Sequence, residues 1–174
     1  MREPYLSRPM PWTPYLLTFL SGCSPDWSVR VQPSPDRTKT AVEIVTRIAK
    51  ERRVFPWPVW TVQHGDVDGD GCEELILGAV KRNRFDSASR RRLQVWRVTD
   101  GRLHPRWLGT RLAGSLDTFI LDGRGRIVAR ERVGDRWTLA RWRWRKFGFQ
   151  TDSVLTEGAQ SRPPLPSNSR KDAP

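Results

Sequence analysis

The chain has 174 residues, 37% of them hydrophobic, and a formal net charge of +12, which bounds it to one domain plus tails. Its two cysteines are too few to make a disulfide framework, and no run approaches the ~20 apolar residues of a membrane-spanning helix. The basic excess is nearly all arginine, 26 Arg against five Lys; this balance points to an anionic partner, either nucleic acid or an envelope surface, or else reflects a GC-rich genome.

The first element is a short apolar run, "PWTPYLLTFLSGC", that ends in Leu20-Ser21-Gly22-Cys23. The tetrapeptide resembles the lipobox of bacterial lipoproteins. The resemblance implies that residues 1–23 are a signal peptide, with Arg2 and Arg8 as its positive region, and that Cys23 is lipidated and anchors the protein to a membrane. Pro11 and Pro14 depart from that pattern, and translation starts at Met1 or at Met10. The bland alternative is a disordered N-terminus with a chance cysteine. Residues 24–40, rich in Pro, Ser and Thr, read as a tether. Residues 41–54 carry two patterns. Thr40 and Glu43 fit a capping box before a helical stripe of Ala41, Ile44, Val45, Ile48 and Ala49, while "TAVEIVT" fits an edge strand.

From Val59 onward the chain reads as β. "VWTVQHG", "EELILGAV", "RRLQVWRV", "LHPRWLGTRL", "SLDTFIL", "RIVARERV", "RWTLARWRW" and "FGFQTDSVL" are separated by turns such as "DVDGDG", "TDGR" and "DGRGR". The expectation is an all-β domain over 41–156, built of two propeller-blade-like antiparallel sheets with flexible N- and C-terminal segments; 157–174 read as a disordered tail. In "RWRWR", Trp142 and Trp144 share one face, and Arg141, Arg143 and Arg145 the other. A weak repeat relates Val59–Leu108 to Ser115–Phe149 and sets Arg124 where the first unit has Asp70. The second turn thus keeps the shape and loses the chemistry.

That chemistry lies in "GDVDGDGCEELILG", residues 65–78, where five carboxylates fall within nine residues of a basic chain. Calcium takes six to eight oxygens at ~2.3–2.6 Å, and a loop with ligands at positions 1, 3, 5, 7 and 9 wraps around one ion. Those positions are Asp66, Asp68, Asp70, the Cys72 backbone carbonyl and Glu74. Gly69 and Gly71 permit the turns. An EF-hand is unsuitable, since position 12 is Leu77 and a strand follows. The stretch resembles the FG-GAP or VCBS-like repeats of integrin-type β-propellers, in which a DxDxDG loop opens into a strand. That resemblance implies a bound calcium, with Glu74 where the family more often has Asp. Two blades cannot close a propeller, which typically has 4–8; the alternatives are a compact packing of the two sheets or assembly with copies of the chain or with a partner protein.

Catalysis has little support. The only histidines are His64 and His104, and no zinc pattern, P-loop or GxGxxG is present. Two functional expectations follow. The first is an exported, lipid-anchored cell-envelope protein with a calcium-stabilised β domain, binding another protein or a polyanionic envelope component. The second is a cytoplasmic, basic nucleic-acid-binding protein. Residues 81–146 hold 19 Lys/Arg against six Asp/Glu, and Arg90, Arg91, Arg92, Arg141, Arg143 and Arg145 are the candidate polyanion contacts.

Overall fold

The computed structural model describes residues 27–84, 86–109 and 112–166. The described chain is all-β, with eleven strands in three antiparallel sheets. Each sheet is a meander, its strands paired in chain order. Sheet 1 comprises β1 (Trp27–Pro33), β2 (Thr40–Thr46) and β3 (Lys50–Phe55). Sheet 2 comprises β4 (Val59–Gly65), β5 (Glu74–Asn83), β6 (Asp86–Thr99) and β7 (Arg102–Trp107). Sheet 3 comprises β8 (Ser115–Leu121), β9 (Ile127–Val133), β10 (Arg136–Arg145) and β11 (Gly148–Ala159).

Sheet 2 lies between the other two, and alternation along its strands explains why. Leu75, Leu77, Trp96 and Val98 pack with Val42, Ile44 and Phe55 of sheet 1. Ile76, Leu93 and Val95 point the other way and pack with Phe119, Ile127, Ala129, Ala140 and Trp142 of sheet 3. A strand buried on both faces needs an unbroken apolar run, which is why Leu75-Ile76-Leu77 shows no polar alternation.

Three expectations are corrected. The tether at 24–40 contains β1, which pairs along its whole length with β2, from Trp27↔Thr46 to Pro33↔Thr40. The connecting turn is tied by Asp36, whose carboxylate accepts hydrogen bonds from the Ser34 and Thr38 hydroxyls at 2.5 and 2.7 Å. Of the two patterns that residues 41–54 carry, the strand forms, as β2 and β3 joined by a turn at 47–49, and β2 is the central strand of a third sheet, not an edge. Period-two burial of Val42 and Ile44 against sheet 2 outweighs a helical spacing that would have enlisted Ile48, which is 79% exposed. The C-terminal tail begins later than 157, since β11 runs to Ala159 and Pro163 is buried beyond it. Cys23 and residues 167–174 lie outside the described residues.

Sheets 2 and 3 are joined along their edge strands β4 and β8. The Gln63 amide donates to the Phe119 carbonyl at 3.1 Å and accepts from the Leu121 N–H at 2.6 Å, so one side chain satisfies two backbone groups of β8. Trp60 meets Phe119 edge to face, centroids 5.5 Å apart. This clamp brings the loops that follow β4 and β8 to the same end of the molecule.

Candidate functional site

The acidic loop, residues 66–73, connects β4 to β5 at that end. Its backbone is shaped by its own carboxylates. Asp66 accepts from the Gly69 N–H at 2.7 Å and the Gly71 N–H at 2.9 Å. Asp70 accepts from the Cys72 N–H at 3.0 Å. Gly69 and Gly71 have φ of 79° and 85°, a region that side chains with a Cβ resist. Glu74, the first residue of β5, is buried and accepts from the Val67 N–H at 3.1 Å.

Three of the four predicted carboxylates converge. Asp66, Asp68 and Glu74 each place one oxygen so that all lie within 4.8 Å of one another, the one such group among the described residues. Two ligands on opposite sides of a calcium ion stand at most about 5 Å apart, so the spacing suits a hard divalent cation, and so does the all-oxygen donor set. Asp70 does not join them. Its carboxylate turns to Arg97, and Cys72 contributes its N–H to that turned Asp70.

Arg97 was not anticipated. Its register partner across β5–β6 is Glu74, and its Nη2 contacts Asp70 and lies 3.2 Å from both Asp68 and Glu74. Arg106 adds a second guanidinium, 2.6 Å from Asp68. No local spacing could reveal either residue, since their approach depends on strand register. Asp68, Asp70 and Glu74 thus face guanidinium groups, Arg97 reaching all three and Arg106 reaching Asp68. Burial, reinforced by the Asp68 carboxylate, raises the Glu74 carboxyl to about 7 against the Val67 hydrogen bond and the Arg97 guanidinium. Burial also acts on Asp70, but the Cys72 N–H and Arg97 outweigh it and hold that carboxyl below its ordinary range. For Arg97, desolvation is outweighed by Asp70 and Glu74, which raise it further.

The turn at 122–126 closes over the acidic loop. Asp122 accepts from the Arg124 and Arg126 N–H groups at 2.9 and 3.0 Å, and its side chain pairs with Arg141 at 3.2 Å. Gly125, with φ of 72°, lies so close to the Asp66 carbonyl that a Cβ would overlap it. Between the two loops lies an open cleft of ≈ 1340 Å³, walled by both turns and by Arg141, Arg143 and Trp144. At its rim His64 pairs with Glu73 at 2.7 Å and meets Trp27 edge to face.

The candidate polyanion arginines are placed on two strands, β6 and β10, and are largely engaged. Arg92 is buried, bonded to Asp86 and to the Lys81 carbonyl at 3.0 Å each, which removes it from any surface. Arg90 pairs with Asp86, and Arg91 with Asp117 while lying over Trp60. Arg141 and Arg143 pair with Asp122 and Asp152. Arg145 is exposed at the end of β10. On the other face of that strand, Trp142 is buried in the core and Trp144 packs against it. Comparison with family models, with curated proteins and with solved structures finds no match to this chain.

Proposed function

We propose that the protein is a non-catalytic, calcium-stabilised β module of the cell envelope, exported and lipid-anchored through Cys23, with a binding or structural role. The observation that carries the reading is the convergence of Asp66, Asp68 and Glu74 within 4.8 Å at the junction of two sheets. Bound calcium would be held by those three carboxylates, and it would join the loop between β4 and β5 to the base of β5. The FG-GAP or VCBS-like resemblance of the loop supports the same reading, as does its direct opening into a strand. An envelope location suits it as well, because extracellular calcium modules work at ~10⁻⁴–10⁻³ M calcium.

One observation favours a second reading. The Arg97 guanidinium sits among Asp68, Asp70 and Glu74 and can serve as the loop's cation without any metal. The two readings separate in a thermal melt. An ion that binds only the folded state adds RT ln(1 + [Ca]/Kd), about 1.4 kcal/mol at ten times Kd. For a domain of this size that is a rise of several degrees in Tm. Melting curves that superimpose in millimolar calcium and in chelator would assign the role to Arg97. Palmitate labelling of Cys23 with cell fractionation tests the anchor independently; unlabelled, cytosolic protein would promote the nucleic-acid-binding alternative.

A further inference from the structure

The face of sheet 3 turned away from sheet 2 is crossed by the chain's own C-terminal segment. Ile127, Ala129, Ala140 and Trp142 point into the core, so alternation places Val128, Arg130 and Leu139 on the opposite face. Val128 and Leu139 are buried there nonetheless. Gly158, near the end of β11, has φ of 67°, and the residues beyond the strand reach Trp137 of β10, Arg130 of β9 and Asp117 of β8.

The seating is specific. The Arg162 guanidinium donates to both oxygens of Asp117 at 2.7 Å and lies 5.8 Å from the Trp137 ring centroid. Arg130, itself buried, donates Nη1 to the Pro163 carbonyl at 2.6 Å and Nε to Asp117 at 2.7 Å. Pro163 is buried, Leu165 half-buried, and Pro164 and Pro166 exposed. A side-chain fork is therefore read by a carboxylate, a backbone carbonyl by an arginine, and alternate apolar residues by the sheet. Three prolines fix φ in the segment, so it loses little backbone freedom when it seats. These are the components by which aromatic-bearing surfaces recognise proline-rich peptides.

We propose that Asp117, Arg130 and Trp137 form a docking site for arginine–proline segments of other polypeptides, of the pattern Arg-Pro-Pro-x-Pro, and that residues 160–166 occupy it as an intramolecular pseudo-ligand. The cis segment is tethered by only a few residues, so its effective concentration is ~mM, and it masks the site from weak ligands in trans. Asp117 is suited to the role. Burial acts to raise its carboxyl, but Arg162 and Arg130 outweigh it and hold it ionised below the ordinary range.

The test titrates a labelled peptide with the sequence of residues 160–166 (QSRPPLP) into the full-length protein, read by fluorescence anisotropy. Arg162→Ala removes the bidentate hold of the cis segment, and the variant binds the peptide at least about tenfold more tightly than the wild-type chain. Arg162→Lys, which keeps the charge but not the fork, gives an intermediate affinity. Adding Asp117→Asn to Arg162→Ala abolishes binding. A peptide with its own arginine replaced by alanine binds neither protein, a control that does not depend on how the Asp117 variant folds. Equal affinity of wild-type and Arg162→Ala proteins for the peptide, or binding indifferent to the peptide's arginine, would overturn the proposal.

Discussion

Glu74 and Arg97 are directly opposed across the β5–β6 pair, with Arg97 Nη2 3.2 Å from Glu74 Oε1 at the base of the acidic loop. The guanidinium stabilises the loop in the absence of metal, and its charge opposes an incoming cation. Arg97→Ala therefore acts in opposite directions on two measurable quantities. Calcium-free stability falls by about 1–3 kcal/mol, because a buried carboxylate loses its partner and Arg97 is itself partly solvated. Calcium affinity rises by roughly ten- to a hundredfold, because a like charge next to the ion is removed. Chemical denaturation in chelator and calcium titration by calorimetry check the two effects. A variant with lowered stability and no calcium binding would show that the loop is held by guanidinium groups and not by a metal.

Asp68 links the carboxylate group to both guanidiniums. Asp68→Ala removes one of three converging oxygens, and most of the calcium-dependent rise in Tm disappears with it. The calcium-free protein changes little, within about 1 kcal/mol, since Arg97 keeps Asp70 and Glu74 and Arg106 is substantially solvated. Melting curves of both proteins in calcium and in chelator provide the comparison. An equal calcium shift in the two would place the ion elsewhere.

Gly125 couples the second turn to the first through the Asp66 carbonyl. Gly125→Ala meets two penalties at once: a left-handed φ of 72° and a Cβ against that carbonyl. A destabilisation of about 2–4 kcal/mol is expected. Gly123→Ala is the control, because nothing lies near its Cβ position and its φ is not left-handed. Similar losses in the two variants would mean that the turns do not bear on one another.

How much of this was legible in the sequence depends on the range of each interaction. β4 and β8 match "VWTVQHG" and "SLDTFIL" residue for residue, because turn chemistry on both sides marks their ends. The carboxylates of the acidic loop were visible through local spacing, and three of them converge. β1 was hidden because "WSVRVQP" sits in a Pro- and Ser-rich stretch, where composition obscures the alternation of Trp27 and Val29. The helix-or-strand ambiguity of 41–54 was resolved by a partner surface, since Val42 and Ile44 find Leu75 and Leu77 in a sheet that the local pattern does not reveal. Arg97 escaped for the same reason, because only the register of β6 against β5 sets it beside Glu74. The hold of Asp117 on Arg162 spans 45 residues and leaves no local trace.

Glu131 provides a pH dependence remote from the acidic loop. Its side chain is fully buried. Oε1 accepts from the Ala113 and Gly114 N–H groups at 3.1 and 3.0 Å, and Oε2 has no hydrogen-bond partner. Burial raises the carboxyl above its ordinary 4.5, partly offset by the Gly114 and Ala113 hydrogen bonds. A raised carboxyl binds its proton more tightly in the folded state than in the unfolded one. Its contribution to stability is therefore full below about pH 4.5 and is lost as pH rises through the folded value, with a slope of at most about 1.4 kcal/mol per pH unit. Glu131→Gln keeps a carbonyl oxygen for the two N–H groups and cannot ionise. Other carboxylates, Asp117 among them, lose stability at low pH, so the informative quantity is the difference between variant and wild type. Urea denaturation at a series of pH values from 5 to 8 should show the variant gaining on the wild type as pH rises. Parallel stability curves would mean that the buried carboxylate keeps its charge at no cost to the fold.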